Sequence, residues 1–365
     1  MKCICDRLAL LEALSATGPI AAARTPRPIL QCIRLTVEKD VLTITAYDQE
    51  VGVRYRVRQI EMTRPGDTLV NADRFLAIVR ESTDETMSLE AAEDLLHIRG
   101  ADSHFEIIGQ GVREFPPVPD MEGDPSFSVK VGALRLAVEQ TLFAAARENT
   151  RYAINGVLWE KKGKQLQLVA TDGRRLAMSR ASLEKAVGDD AQAIIPTKTL
   201  QLLGRLHFGA DEILEVSLTA NQVVLRSEKA TISSVLVEGH FPKYQDVVPR
   251  DQDKKVTLDT SGFLSAVKRA ALLATVESKG IKLSLGTDGM VFSSRAAEQG
   301  QATVRLQGVE YSGPALEIGF NPEFLLDALK VCPDQVTFEL KEPTKPGIIR
   351  AEPSFQYVVM PVNLS

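Results

Sequence analysis

The chain has 365 residues, which is enough for two or three domains with sizeable cores. Charged residues make up 25% and hydrophobic residues 44%, as in an ordinary soluble globular protein. The net charge of −5 excludes a general electrostatic attraction to nucleic acid or acidic membranes, so a role on nucleic acid needs a local basic surface.

The N-terminal segment is apolar, but Asp6, Arg7 and Glu12 interrupt it, which is not typical of a signal peptide. No apolar run reaches the length of a membrane span. The four cysteines show no zinc or redox spacing; they are Cys3, Cys5, Cys32 and Cys332. These features predict a cytoplasmic protein with reduced thiols, and with Cys3 and Cys5 on one face of a strand.

Six segments carry apolar residues at helical spacing, and each predicts a helix. In chain order they begin at Asp6, Asp73, Gly132, Thr197, Ser261 and Pro322. Successive starts are spaced by roughly 60–65 residues, about half of a typical domain. Residue types that cap helix N-termini stand at four of these starts, namely Asp73, Thr197, Ser261 and, before Pro322, Asn321.

Between these helices the sequence alternates apolar and polar residues, which is typical of strands. The clearest runs are LTITAYD from Leu42, QLQLVATDG from Gln165, QVVLRSE from Gln222, KLSLGTDG from Lys282 and QVTFELKE from Gln335. One helix with several strands therefore repeats six times. This pattern predicts an α+β fold with mostly antiparallel sheets and two such repeats per domain.

A second repeat indicates where the domains divide. ATDGRRLAMSR (Ala170–Arg180) resembles GTDGMVFSSR (Gly286–Arg295) and, more weakly, AYDQEVGVRY (Ala46–Tyr55), at spacings of about one domain. EFPPVPD (Glu114–Asp120) and HFPKYQD (His240–Asp246) each predict an exit strand followed by a linker. The predicted domains are residues 1–122, 127–249 and 254–365.

The segment VATDGRRLAMSR has several interpretations. Asp172-Gly173 between two alternating runs is a strong hairpin signal, but it does not explain the adjacent Arg174 and Arg175. A catalytic loop would need a second acid or a histidine in a recognisable pattern, and the four histidines form none. No phosphate-binding loop and no cysteine–histidine metal motif occurs. An active site assembled from distant residues stays open at this point.

Five motifs in a fixed order resemble the family of bacterial DNA polymerase III beta subunits, the sliding clamps. They are RYAINGVLWE (Arg151–Glu160), VATDGRRLA (Val169–Ala177), EGHFPKYQDVVP (Glu238–Pro249), YSGPALEIGFN (Tyr311–Asn321) and YVVMPVNL (Tyr357–Leu364). The resemblance implies a DNA-clamp fold, with three similar domains that each pack two helices on antiparallel sheets. It also implies a head-to-tail dimeric ring around duplex DNA, without catalysis, cofactor or metal.

The same resemblance implies partners and site residues. The partners are double-stranded DNA bound without sequence preference, a second copy of the chain, the DNA polymerase III alpha subunit, the clamp loader delta subunit and other proteins with a clamp-binding motif. The implied peptide-docking pocket consists of Arg151, Ile154, Thr171, Gly173, Arg174, Arg175, Leu176, Pro242, Val247, Phe324, Val358, Met360, Val362 and Asn363. The implied DNA contacts are Arg24, Arg27, Tyr152 and Lys198. The implied dimer interface includes Arg74, Phe105, Leu272 and Leu273.

Charge is consistent with a ring, since the predicted helices are slightly basic within an acidic chain. A ring is retained on DNA topologically, so it does not need the many phosphate contacts that tight binding requires. Two alternatives remain at this stage: a divergent paralogue that serves a specialised polymerase, and an enzyme with an unrecognised site.

Overall fold

The computed structural model describes residues 1–21, 25–147, 153–274, 280–287, 289–296 and 300–363. These residues form two compact units. Unit 1 contains Met1–Gly132, Leu183–Gly188 and Lys198–Leu236, and unit 2 contains Ala133–Ser182, Asp189–Thr197 and Val237–Ser365. The middle third of the chain therefore contributes to both units.

The described residues form six α-helices. They are α1 (Arg7–Ala21), α2 (Ala72–Glu81), α3 (Val131–Leu142), α4 (Thr197–Arg205), α5 (Thr260–Ala271) and α6 (Pro322–Leu329). Short 3-10 helices cover Pro28–Gln31, Val112–Glu114 and Tyr244–Asp246.

The first seventeen strands are β1 (Lys2–Asp6), β2 (Cys32–Glu38), β3 (Val41–Tyr47), β4 (Val51–Val57), β5 (Ile60–Arg64), β6 (Gly66–Asn71), β7 (Thr86–Ala92), β8 (Leu95–Arg99), β9 (His104–Gln110), β10 (Phe127–Lys130), β11 (Gly156–Lys162), β12 (Gln165–Thr171), β13 (Arg175–Ala186), β14 (Ala191–Pro196), β15 (Ile213–Leu218), β16 (Gln222–Arg226) and β17 (Ala230–Val235). The remaining strands are β18 (Lys254–Asp259), β19 (Ile281–Gly286), β20 (Gly289–Ala296), β21 (Gly300–Leu306), β22 (Leu316–Phe320), β23 (Gln335–Leu340), β24 (Gly347–Ala351) and β25 (Phe355–Val359).

Each of these helices begins where a strand ends, which confirms the predicted sixfold repeat of one helix with several strands. The preceding strands are β1, β6, β10, β14, β18 and β22. The three similar segments of the second repeat each form a hairpin, by pairing of β3 with β4, of β12 with β13 and of β19 with β20.

Two of the predicted helix caps are wrong. The side chain of Asn71, not Asp73, accepts the hydrogen bond of the first turn of α2, from the Arg74 N–H. Likewise Asp259, not Ser261, caps α5 by accepting from the Gly262 N–H. A cap residue must have extended backbone immediately before the first helical residue, and apolar periodicity placed both starts two residues too late. The cap predicted at Asn321 is confirmed.

The predicted exit strands are also wrong. No strand covers residues 115–122, and residues 240–246 contain only the 3-10 helix at Tyr244–Asp246. The prolines of both segments lack the N–H that a strand ladder needs. Instead, buried Phe115 packs against Cys32 and Leu69 in unit 1. The exact domain boundaries stay a prediction.

Unit 1 contains two antiparallel arrangements. In the first, β1 lies between β5 and β7, and β8 and β9 continue beyond β7. The second runs from β6 through β2, β3, β4 and β17 to β16, β15 and β10. Helix α1 packs on β3, β4 and α2. Leu10 and Leu14 of α1 and Phe75 of α2 are buried. Cys3 and Cys5 are both buried on one face of β1, and all four cysteines are free thiols, as predicted.

Unit 2 likewise contains two antiparallel sheets. One follows the order β14, β11, β12, β13, β25, β24, β23 and β18. The other has the order β21, β20, β19 and β22. The ring of Phe263 on α5 lies 5.7 Å from that of Phe292 and 5.5 Å from that of Phe338, so aromatic packing joins helix and sheets.

Candidate functional site

The β12–β13 turn in unit 2 is held by its own side chains. Asp172 Oδ1 accepts from the N–H groups of Arg174 and Arg175, at 2.9 and 3.1 Å. Thr171 Oγ1 accepts from the Gly173 N–H and donates to the Arg175 carbonyl. Gly173 has a φ of +86°, which glycine adopts without a steric penalty. The predicted Asp-Gly hairpin is therefore confirmed.

Arg175 is committed to internal contacts. Its Nε donates to Asp172 over 2.9 Å, Nη1 to Asp327 over 3.0 Å and Nη2 to the Phe143 carbonyl over 2.8 Å. The guanidinium also lies over the Phe324 ring, 4.6 Å from its centre. Burial alone lowers the pKa of Arg175, but the bond to Asp327 and neighbouring charges outweigh it and hold the pKa above its ordinary value. Arg175 thus fixes the turn to α6.

The chain segment after β25 lies against this turn. Strand β25 pairs with β13, with Leu176 opposite Val358. The Met360 N–H donates to the Arg174 carbonyl and the Val362 N–H to the Gly319 carbonyl, both at 2.9 Å. Two backbone bonds therefore place Met360 and Val362 beside the hairpin.

A buried apolar cluster lies beneath the hairpin in unit 2. Its members are Ala153, Leu158, Val169, Leu176, Met178, Ile194, Tyr244, Ile348 and Val358, with Val237, Phe241 and Val248 packed against them. Of the predicted pocket residues, Leu176 and Val358 belong to this cluster. Ile154 is also buried, Pro242 is half-buried and Val247 is exposed.

Tyr244 is a residue of this cluster that sequence reasoning missed. Its hydroxyl donates to Glu160 and accepts from Gln167 Nε2 over 2.6 Å. Burial and the adjacent Glu160 carboxylate raise the pKa of Tyr244. The signal was its place in the HFPKYQD segment, which was interpreted as an exit strand and as part of a family motif, without a role for Tyr244.

Two open grooves adjoin the chain segment Met360–Asn363. One, of about 660 Å³, is lined by Arg174, Ala274, Gly280, Asn321, Pro322, Glu323, Phe324 and Met360–Asn363. The other, of about 540 Å³, is lined by Lys282, Glu317, Ile318, Gly319, Pro343, Thr344 and the same four residues. The structure therefore brings Arg174, Phe324, Met360, Val362 and Asn363 together around open space.

The predicted DNA contacts, and Arg151 of the predicted pocket, are not among the described residues that line these grooves. Arg24, Arg151 and Tyr152 lie outside the described residues. Arg27 is exposed, whereas Lys198 forms an ion pair with Asp48. Asp48 is itself held in the β3–β4 turn, where it accepts from two backbone N–H groups.

The predicted interface residues are accessible on their own units. In unit 1, Arg74 on α2 is exposed and Phe105 on β9 is 41% exposed. Ile108 on the same strand, which the sequence analysis missed, is 72% exposed. In unit 2, Leu272 after α5 is 79% exposed and Leu273 is half-buried. Each unit thus presents apolar side chains that are largely exposed within that unit, above all Ile108 and Leu272.

Within the described ranges, each helix lacks the length and apolar character needed to cross a membrane.

Comparison with known proteins identifies relatives along the whole chain. Family models of the DNA polymerase III beta subunit match in order: the N-terminal domain at residues 1–119, the central domain at 128–243 and the C-terminal domain at 245–363. The beta sliding clamp of Pseudomonas aeruginosa is 33% identical over 363 residues, covering 98% of this chain and 99% of the relative. That of Escherichia coli K12 is 30% identical and covers all of both chains.

Solved structures agree with the sequence comparisons. A sliding clamp from Pseudomonas aeruginosa, crystallised with griselimycin, superposes with a TM-score of 0.94 at 32% identity over the full length of both chains. A DNA polymerase sliding clamp from Bacillus subtilis superposes with a TM-score of 0.92 at 25% identity, again over both full lengths.

Proposed function

Since the chain belongs to the DNA polymerase III beta subunit family and is a DNA sliding clamp, a processivity factor without catalytic chemistry, we propose that two copies close head to tail into a ring around duplex DNA. The observation that carries this proposal is the ordered match of all three family domains along one chain. The three domains are proposed to span residues 1–122, 127–249 and 254–365. We also propose a cytoplasmic location, where a bacterial replication clamp meets DNA.

Exposed sheet edges support the ring-closing contact. Residues His104–Ile108 of β9 pair with β8, and β9 meets β6 only at Gly109 and Gln110. In unit 2, β21 is the edge strand of its sheet. Proteins usually cover such edges, because unpaired N–H and C=O groups and apolar side chains favour association. Phe105 beside one edge and Leu272 in the other unit are the proposed anchors of a head-to-tail contact that repeats twice and closes.

Charge supports topological retention on DNA. With a net charge of −5, the chain as a whole does not attract DNA electrostatically in the way that tight counterion-driven binding requires. The proposed contacts to DNA phosphates are Arg24, Arg27, Tyr152 and Lys198. A few weak contacts of this kind position a sliding ring without immobilising it.

The groove beside Met360 is the proposed docking site for partner peptides. It has apolar walls and few polar groups, as ligand sites usually have, and the flexible Met360 side chain adapts to different partners. The proposed users are the alpha subunit of DNA polymerase III, the delta subunit of the clamp loader and other proteins with a clamp-binding motif. Because Thr171 and Arg175 bond within the chain, we assign them to shaping the hairpin, with Arg174 as its exposed polar group.

A topological assay tests the proposal. The protein is loaded onto nicked circular DNA by a bacterial clamp loader with ATP, and half of the sample is then linearised. In high salt, we expect the protein to stay on the circles and to leave the linear molecules by sliding off their ends. Equal retention on both forms, or loss from both, would contradict the ring.

A further inference from the structure

Three side chains with metal-ligating atoms lie together on the β8–β9 hairpin of unit 1. They are His97, His104 and Glu106. His97 is directly opposite Glu106 in the strand register, and His104 follows diagonally. Their side chains are 17%, 44% and 51% exposed, so the cluster is open to solvent ions.

The distances fit one small cation. His97 Nδ1 lies 3.2 Å from His104 Nε2 and 3.3 Å from Glu106 Oε1, and His104 Nε2 lies 3.8 Å from the same oxygen. Zinc binds histidine nitrogen and carboxylate oxygen at about 2.0–2.2 Å, so two ligands of a tetrahedral ion are roughly 3.3 Å apart. Two of the three separations already match, and the third involves the two most exposed side chains.

Hydrogen bonds within the cluster cannot give all three side chains a partner at the same time. His97 Nδ1 faces both His104 and Glu106, yet a neutral ring nitrogen offers either one proton or one lone pair. The two imidazoles are stacked, with ring centres 5.4 Å apart. A cation bound by both rings and the carboxylate would satisfy all three groups at once.

The neighbouring carboxylate of Glu90 is engaged by other side chains. Glu90 on β7 is opposite His97, but it is engaged by Lys2 at 3.3 Å, Arg99 at 3.1 Å and Arg64 at 3.8 Å. The hydrogen bonds from Lys2 and Arg99 hold the pKa of Glu90 below its usual range. Glu90 is therefore already engaged by other groups and does not complete the ligand set.

We propose that His97, His104 and Glu106 form a binding site for a divalent transition metal, with Zn²⁺ as the best fit and a water molecule in the open fourth position. Imidazole ligands favour zinc, nickel and copper over magnesium or calcium. A bound ion would cross-link β8 to the edge strand β9. Sequence reasoning missed the site, because its ligands come from two strands and match no linear motif. All three ligands belong to one chain, so the inference does not rest on the proposed function, although His104 and Glu106 lie on the edge strand that is proposed to close the ring.

Titration of the untagged full-length protein tests the site. After removal of metals with a chelator, calorimetry with ZnCl2 should show one saturable site per chain, whereas MgCl2 should show none. His104→Ala and Glu106→Gln should each weaken zinc binding at least about tenfold, and His240→Ala serves as the control that retains binding. Far-UV circular dichroism verifies that the variants fold, as expected from their exposed positions.

A second readout reports on geometry. Co²⁺ bound in place of zinc should give the visible absorption of a tetrahedral ion in the wild type and lose it in His104→Ala. Zinc should also raise the melting temperature of the wild type but not of that variant. The absence of saturable binding, or equal zinc affinity of the wild type and both ligand variants, would overturn the proposal.

Discussion

The Arg175 guanidinium donates to Asp327 over 3.0 Å, although 152 residues separate the two positions. The same group holds Asp172 within the hairpin and covers the Phe324 ring. One side chain therefore sets the position of the turn relative to the helix that supplies Phe324 to the groove. The shape of the proposed docking site depends on this contact, as well as on the residues that line it.

Arg175→Ala should lower the free energy of unfolding by about 2–3 kcal/mol, below the range for a fully buried ion pair because both partner carboxylates are partly exposed. The loss arises because two carboxylates and the Phe143 carbonyl lose their donor. Urea denaturation measures it. Arg174→Ala is the matched control and should stay within about 0.5 kcal/mol, since Arg174 is exposed. Equal effects of both substitutions would contradict the structural role of Arg175.

Local features of the fold could be predicted from sequence, whereas long-range ones could not. The Asp172-Gly173 turn is encoded by neighbouring residues, so its chemistry is readable without a structure. The pairing of Arg175 with Asp327 depends on which strands and helices meet, and no spacing rule reveals it. The resemblance to a known family supplied the groove residues, but only the structure separates Arg174, which is exposed, from Arg175, which is not.

The first residues of the helices are a second feature that the sequence pattern predicted only approximately. Apolar periodicity reports the face of a helix that is buried, and this face does not begin at the cap. For α2 the pattern selected Asp73, although Asn71 accepts the capping hydrogen bond. Both residues are good cap types, so composition alone could not decide between them.

Asn71→Ala should therefore destabilise the protein by about 1 kcal/mol, because the Arg74 N–H loses its acceptor. Asp73→Ala should cost less, roughly 0.3–0.5 kcal/mol, since Asp73 contributes only through its charge near the positive end of the helix dipole. Thermal and urea unfolding of both variants measure the difference. A larger loss for Asp73→Ala would restore the assignment made from the sequence.

The two described candidates for DNA contact should differ in effect. Arg27 is exposed and has no ion pair within the part of the chain that the structure describes, whereas the charge of Lys198 is neutralised by Asp48. Arg27→Ala should therefore reduce the affinity for a short linear duplex. It should also make the dependence of log affinity on log salt concentration less steep, by about one phosphate contact. Lys198→Ala should change them less. Fluorescence anisotropy over a series of salt concentrations measures both quantities, with exposed Lys164→Ala as the control. A greater effect at Lys198 would show that its pairing with Asp48 opens on DNA.

Leu272→Glu should shift the protein from dimer to monomer without unfolding it. Leu272 is 79% exposed within the chain, so a charge there costs little in the monomer but is unfavourable in an apolar interface. The substitution alters both contacts of the ring, so a loss of about 2 kcal/mol at each weakens association roughly 1,000-fold. Sedimentation at several micromolar concentrations measures the change, and Leu8→Glu, at a similarly exposed leucine, is the control. A wild-type monomer, or an unaltered Leu272→Glu dimer, would rule out this anchor.

Met360→Ala tests the groove most directly. Its side chain is 42% exposed and lines both open spaces, while its backbone N–H bonds to Arg174. The substitution keeps that backbone bond, whereas deletion from Met360 onward also removes it and the bond from Val362 to Gly319. The point variant therefore isolates the side chain. We expect it to weaken binding of a polymerase-derived peptide rich in Gln, Leu and Phe by roughly 30-fold, as for loss of an anchor worth about 2 kcal/mol.

Calorimetry measures that affinity, and sedimentation checks that the dimer is retained. Ile213→Ala removes an equally exposed apolar side chain that lines neither groove, so it should bind the peptide like the wild type. The Met360→Ala variant keeps the folded groove but lacks its most accessible apolar side chain. If this variant also binds the peptide like the wild type, the peptide docks elsewhere. The ring proposal would be unaffected by that result, since it rests on the matches along the whole chain and on different surfaces.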